Sequence, residues 1–273
     1  MAIPLEDNFA DILGKAQRGL ALSDSALSSK SGVSVETLQR LRAGDFDAAA
    51  AGRVATALGL NANALVAIGE NAWQPRELPS DFVGLAQFST PFGDVTVNSY
   101  LAWDEETKQA VAFDTGSDCE SMIEGLRRHG LTLDFILLTH THGDHIYDLD
   151  RLKSITGAKA FVSSREPIDG AEPFDEGREF AAGNLKIETR LTWGHSRGGT
   201  TFVVRGLALP IAVVGDALFA GSMGGGMVSF ADALKTNREK ILTLPDETII
   251  CPGHGPMTTV GEEKKHNPFF AEV

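Results

Sequence analysis

Four side chains able to bind a metal fall within six consecutive positions of this 273-residue chain, in Leu137-Leu138-Thr139-His140-Thr141-His142-Gly143-Asp144-His145. Imidazole nitrogen and carboxylate oxygen are the ligands of zinc and of other borderline divalent metals. In extended backbone side chains alternate with a period of two, so His140 and His142 are expected on one side, gripping one ion together. Asp144 and His145 open a helix carrying Ile146, Leu149 and Leu152 as its apolar residues, which aims them at a second ion close to the first. A catalytic zinc takes about three protein ligands and keeps a position for water, so each ion needs help from elsewhere. Of the seven histidines, His195 and His254 both lie in glycine-rich loops, Trp193-Gly194-His195-Ser196-Arg197-Gly198-Gly199 and Pro252-Gly253-His254-Gly255-Pro256. Asp216 follows the apolar run Ile211 to Val214. His129 ends a helix after two arginines and His266 lies near the carboxy terminus; neither needs a chemical role.

These residues must be positioned by strands that stop where the loops begin. Runs of β-branched and aromatic residues predict strands at Val95–Trp103, Gln109–Phe113, Phe135–Leu138, Lys159–Val162, Leu185–Leu191, Thr200–Val204, Ile211–Val214 and Thr248–Cys251. A helix is expected over Asp118–Arg128. Ahead of them, residues 8–70 contain no proline and carry apolar residues at helical spacing, as in Phe9, Ile12, Leu13, Ala16 and Leu20. Ser34 is expected to cap a helix bearing Val35, Leu38 and Leu41, Gly59 to close another, and Asn61 or Asn63 to open a fifth. The prolines of Trp73-Gln74-Pro75-Arg76-Glu77-Leu78-Pro79 read as a linker. The expected division is a helical unit at 1–72, a linker at 73–79 and a catalytic domain at 80–273. Every candidate ligand lies beyond the linker, so a chain starting near Pro79 is expected to keep its metals.

With its downstream His, Asp and His in order, the His-x-His-x-Asp-His stretch resembles the metallo-β-lactamase superfamily over about residues 80–273. The separations of 50, 21 and 38 residues between His145, His195, Asp216 and His254 are similar to those of its glyoxalase II branch. The resemblance implies an α/β fold of four αββα layers and two divalent ions, zinc first, with iron or manganese as the other candidates. His140, His142 and His195 would bind one ion, Asp144, His145 and His254 the other, and Asp216 both. Asp114, in Phe113-Asp114-Thr115-Gly116, resembles the strand-end Asp that orients the histidine loop by hydrogen bonds.

Two such ions about 3.5–4 Å apart would share a hydroxide and polarise a carbonyl. Asp144 or Asp216 would help move the proton to the leaving group. The implied reaction is hydrolysis of a thioester or similar activated carbonyl in a small molecule. Within the same fold the alternatives are a lactonase, or a persulfide dioxygenase holding one iron through His140, His195 and Asp216. Lys264-Lys265-His266-Asn267-Pro268-Phe269 resembles the ending of short bacterial glyoxalase II-like proteins. The segment after Asp216, Phe219-Ala220-Gly221-Ser222-Met223-Gly224-Gly225-Gly226-Met227, lacks the basic residue expected near an anionic thiol cofactor, so glutathione is not specified. This glycine-rich loop is expected to border the pocket.

The first unit resembles the lambda-repressor-like helix-turn-helix family, with its turn at Gly32 and the ending Leu41-Arg42-Ala43-Gly44. That resemblance would present Glu36, Thr37, Gln39 and Arg40 to DNA bases and make a metal- or metabolite-responsive regulator the non-enzymatic alternative. Residues 1–72 carry six basic against eight acidic side chains, a net of −2, which opposes DNA binding, and the whole chain, at −13, offers no electrostatic footprint for nucleic acid or anionic membrane. The acidic start Met1-Ala2-Ile3-Pro4-Leu5-Glu6-Asp7 and the absence of any apolar run near the roughly 20 residues of a membrane span point to a cytoplasmic protein. Cys119 and Cys251 are expected as reduced thiols, Cys251 near the core. Self-association is left open.

Overall fold

Polar side chains set the starts of the first helices. Asn8, Ser23, Ser34, Asp47 and Asn61 accept hydrogen bonds from the free amides of α1 (Phe9–Gly19), α2 (Asp24–Ser31), α3 (Val35–Arg42), α4 (Ala48–Leu58) and α5 (Ala62–Gly69). Gly32 and Gly59 close α2 and α4 in the left-handed conformation. Leu20 does not continue the apolar face of α1; it follows the helix end and is 42% exposed. On α3 the two arginines are already paired, Arg40 with Asp45 and Arg42 with Asp24. The computed structural model describes residues 3–77 and 82–271; of the expected linker, Leu78 and Pro79 lie outside the described residues. Trp73 is buried, donates from Nε1 to Glu262 at 3.1 Å and stacks on His266.

Then come β1 (Leu85–Phe92), β2 (Val95–Trp103), β3 (Gln109–Phe113), α6 (Glu120–His129), β4 (Thr132–Leu137), α7 (Gly143–Ile146), α8 (Leu149–Thr156), β5 (Lys159–Ser163) and β6 (Ala171–Phe174). The second half comprises β7 (Glu179–Ala182), β8 (Leu185–Leu191), β9 (Thr200–Arg205), β10 (Ile211–Gly215), α9 (Phe230–Thr236) with a π-helical turn at Asn237–Ile241, β11 (Ile249–Pro252), β12 (Thr258–Thr259) and α10 (Val260–His266). Each half forms one six-stranded sheet, β1 to β6 in chain order and β12 to β7 in reverse chain order.

Alternation of side chains gives each sheet two apolar faces. Tyr100, Phe113 and Phe161 of the first sheet meet Phe180, Phe202, Val213 and Cys251 of the second. Leu101, Ala110 and Ala112 pack outward on Met122 and Leu126 of α6 and Leu152 of α8. On the other outer face, Val203, Ala212, Val214 and Ile250 share one buried cluster with Ile241, Val260 and the cores of α1, α3, α4 and α5. This is the four-layer αββα arrangement, with the amino-terminal helices joined to the outer layer of the second sheet.

The helix expected to run from Asp144 through Leu152 is broken in two at Tyr147-Asp148. The Thr115 amide and hydroxyl both donate to the His145 carbonyl, which an unbroken helix would offer to residue 149. Among the described residues no helix is long and apolar enough to cross a membrane. Both cysteines are free thiols and buried.

Candidate metal centre

The candidate ligands come from the ends of strands in both sheets. His140, His142, Asp144 and His145 follow β4, His195 lies between β8 and β9, Asp216 follows β10 and His254 follows β11. They gather into two groups, His140, His142, His195 and Asp216 in one and Asp144, His145 and His254 in the other, each with its ligand atoms within 4.8 Å of one another.

In the first group His142 Nδ1 stands 3.0 Å from His140 Nε2 and 3.1 Å from His195 Nε2, and Asp216 Oδ2 is 3.3 Å from His195 Nε2. In the second, Asp144 Oδ2 is 3.6 Å from His145 Nε2 and 3.4 Å from His254 Nε2. Asp216 faces both, with Oδ1 at 3.3 Å from His145 Nε2 and Oδ2 at 3.5 Å from His254 Nε2. Two atoms each about 2.1 Å from a tetrahedral zinc stand about 3.4 Å apart, so these spacings fit a shared cation. His145 Nε2 and Asp216 Oδ1 are buried without a hydrogen bond. Such groups are costly unless a further partner takes them, and a divalent ion is one that suits both.

Four histidines are held by their other ring nitrogen. His145 Nδ1 donates to Asp114 Oδ2 at 2.8 Å. The Thr139 hydroxyl gives its proton to the same carboxylate, so it accepts from His140 Nδ1 at 3.1 Å. His195 Nδ1 donates to the Gly225 carbonyl and His254 Nδ1 to that of Thr96. In each case the arrangement fixes the proton on Nδ1 and leaves Nε2 toward the centre. Asp114, at φ +57 in the left-handed region that Asp tolerates, also accepts from the Thr139 amide.

Charge balance in this pocket is steep. Burial opposes protonation of His145, but Asp216 and Asp114 outweigh it and push His145 up to about 10. Burial also opposes charge on His254, and the hydrogen bonds to Asp144 and Asp216 prevail, raising it to about 11. Desolvation wins at His140, held well below its ordinary range, and at His195. Burial would raise Asp216, yet His145 and its neighbours hold the carboxyl well below the usual carboxylate range. His145 and His254 are thus the ligands at which a cation would compete with protons.

Close backbone approach explains two of the glycines. A Cβ on Gly253 would lie 2.2 Å from Asp216 Oδ1 and 2.6 Å from His145 Cε1, and one on Gly224 would lie 1.9 Å from the Asp216 carbonyl. The centre opens into a cavity of 670 Å³, which Asp144, His195, Asp216 and His254 share with Phe219 and the loop Gly224–Met227, as the sequence led one to expect of that loop. The other wall was not foreseeable from sequence: Glu6, Lys15, Arg18 and Gly19, from α1 and the residues before it, line the same cavity. Lys15 and Arg18 share a helix face by their spacing of three, but nothing in the sequence says what that face meets. Burial pushes the Glu6 carboxyl above its usual range. His129 lies away from this centre at the exposed end of α6, against Trp103.

A model of the metallo-beta-lactamase superfamily matches residues 92–254. The probable metallo-hydrolase YqgX of Bacillus subtilis is 33% identical over an aligned length of 206, covering 66% of this chain and 95% of that protein. The hydroxyacylglutathione hydrolase GloC of Haemophilus influenzae is 30% identical over 198 residues, 63% of this chain and 92% of its own. Among solved structures, TTHA1623 in a di-iron-bound form superposes with a TM-score of 0.55 at 26% identity, covering 67% of this chain and all of its own. The helices α1–α5 precede the residues matched by the family model.

Proposed function

This chain belongs to the metallo-beta-lactamase superfamily, and we propose that it is a hydrolase with two divalent metal ions, cleaving a thioester or similarly activated carbonyl in the manner of glyoxalase II. The observation that carries this reading is the convergence of seven His and Asp side chains into two groups facing one carboxylate, Asp216, at the floor of an open cavity. His140, His142 and His195 would hold one ion, Asp144, His145 and His254 the other, and Asp216 both. When bound, the ions supply Lewis acidity, lowering the pKa of water and polarising a carbonyl oxygen.

The chain's own residues do the rest. Asp114, Thr139 and the Gly225 and Thr96 carbonyls fix the imidazole orientations. Asp144, half-buried beside the cavity, is placed to pass a proton toward a leaving group. Neither cysteine competes as a nucleophile. Burial pushes the Cys119 thiol up to about 12 and the Cys251 thiol higher still, and neither lines the cavity. The similarity to the Haemophilus protein supports the thioester assignment, and the di-iron form of the solved relative supports two ions and admits iron beside zinc and manganese.

The test is an activity panel with zinc- and iron-loaded protein, in air and without oxygen, over an acyl-glutathione, an acyl-coenzyme A, an acyl-homoserine lactone, a cephalosporin, a phosphodiester and glutathione persulfide. Oxygen-independent thioester cleavage with either metal is the expected result. Oxygen consumption with the persulfide, dependent on iron and absent with zinc, would overturn it in favour of a single-iron dioxygenase.

A further inference from the structure

The cavity above the candidate metals has walls of different origin. One is the family-matched region: Val95 of the β1–β2 hairpin, Phe219 and the loop Gly224–Met227. Its rim is apolar, with Val95 and Met227 both exposed. The opposite wall is the first helix and the residues leading into it.

That wall is fastened to the rest. Lys15 Nζ donates to the Met223 carbonyl at 2.9 Å and pairs with Asp7, which also accepts from the Ser222 hydroxyl at 2.5 Å. Asn267, anchored by the buried Glu263, donates to the Ser222 carbonyl from the other side. Lys15 is thereby spent on structure. Arg18, one turn further along α1, is exposed and lies back over Gly14, and its guanidinium makes no hydrogen bond or ion pair with any described residue. A guanidinium held on a rigid helix at the edge of a catalytic cavity, with its donors unused, is suited to a planar or tetrahedral anion.

Resting on the thioesterase reading above, we propose that α1 is the substrate-recognition wall of this enzyme and that Arg18 binds a carboxylate or phosphate on the part of the substrate remote from the scissile carbonyl, while the apolar rim takes the acyl group. The segment after Asp216 lacks a basic residue, and α1 supplies one from the far end of the chain. The substrate class is then an acyl thioester of an anionic thiol.

The full-length, metal-loaded protein decides it, through KM and kcat for S-acetylglutathione, whose thiol bears carboxylates, acetyl-coenzyme A, whose thiol bears phosphates, and the uncharged S-acetyl-N-acetylcysteamine. For Arg18→Ala, a rise in KM of about tenfold is expected for one of the two anionic thioesters, whichever group Arg18 binds, with kcat changed far less, because a charge-assisted pair at an exposed edge is worth about that much. The preference for that substrate over the neutral one falls by the same factor, Arg18→Lys recovers part of it, and Arg53→Ala, on α4 away from the cavity, behaves as the parent. An unchanged preference in Arg18→Ala overturns the proposal while leaving the hydrolase reading intact. Should the parent cleave none of the three, calorimetric binding of S-methylglutathione and of coenzyme A takes over. Arg18-dependent binding upholds the wall without the thioesterase, and absence of binding, or binding indifferent to Arg18, ends the proposal.

Discussion

Asp114 offers the sharpest test of how the centre is held together. Its carboxylate, 2% exposed, accepts from the Thr139 amide at 2.7 Å, the Thr139 hydroxyl at 2.7 Å and His145 Nδ1 at 2.8 Å. Single hydrogen bonds to a buried charge contribute about 1.5–3 kcal/mol, but three on one group do not add, since the ionised carboxylate itself paid for desolvation. Removing one side of such a buried network costs about 3–5 kcal/mol. Alanine in the left-handed conformation adds about 1 kcal/mol more. Asp114→Ala is therefore expected to lose about 4–6 kcal/mol in urea unfolding of chelator-treated protein. Zinc affinity, titrated against a competing indicator, should fall about 10- to 100-fold. Asp114→Asn separates the two effects. Asn tolerates the backbone, but it has one acceptor oxygen where the carboxylate has two: with that oxygen toward the Thr139 amide, its NH2 group faces the Thr139 hydroxyl and His145, and His145 is driven to the tautomer that carries its proton on Nε2. Its stability loss should be smaller while zinc affinity still drops. An Asp114→Ala protein within 1 kcal/mol of the parent, or an Asp114→Asn protein with parental zinc affinity, would refute the reasoning.

Two further outcomes follow from the packing. Burial pushes the Glu263 carboxyl up to about 7, so the stability its proton contributes is fully present below about pH 4.5 and lost as pH rises through about 7. The stability of the parent relative to Glu263→Gln should decline by up to about 3 kcal/mol between pH 5 and 8, and a difference independent of pH would show Glu263 to be ionised throughout. Removal of residues 1–77 exposes the cluster around Val203, Ala212, Val214 and Ile250 and frees the loop carrying Gly225. Such a chain is expected to aggregate or to bind zinc poorly, and a soluble protein holding two ions per chain would show instead that the helices are dispensable to the core, as the position of the candidate ligands beyond the linker suggests.

Where local chemistry decides structure, the sequence was legible. Val95–Trp103, Gln109–Phe113 and Leu185–Leu191 have the bounds that their alternation predicts, and Ser34, Asn61 and Gly59 cap as their types demand. The seven candidate ligands could be picked out because a metal constrains residue type and spacing together. Strands β1, β6, β7 and β12 went unread, being short, interrupted by proline, or partly exposed. The break after His145 was invisible because its cause, Thr115, lies 30 residues away. The roles of Lys15 and Arg18 were hidden for the same reason on a larger scale, since a helical face says that something is met but not what.

The tie between the first helix and the glycine-rich loop also fixes an order of events. Lys15 and Met223 are 208 residues apart, and Asp7 and Ser222 are 215 apart. The contacts inside α1–α5 are short-range and can form while the ribosome is still at work, whereas closing loops of that length must wait until Ser222 and Met223 have been made. His195, Asp216 and His254 emerge late as well. On the reading proposed above, the cation-bearing helix is thus made long before the loop it faces, and the candidate ligands and the α1 wall come together only once His254 has been made.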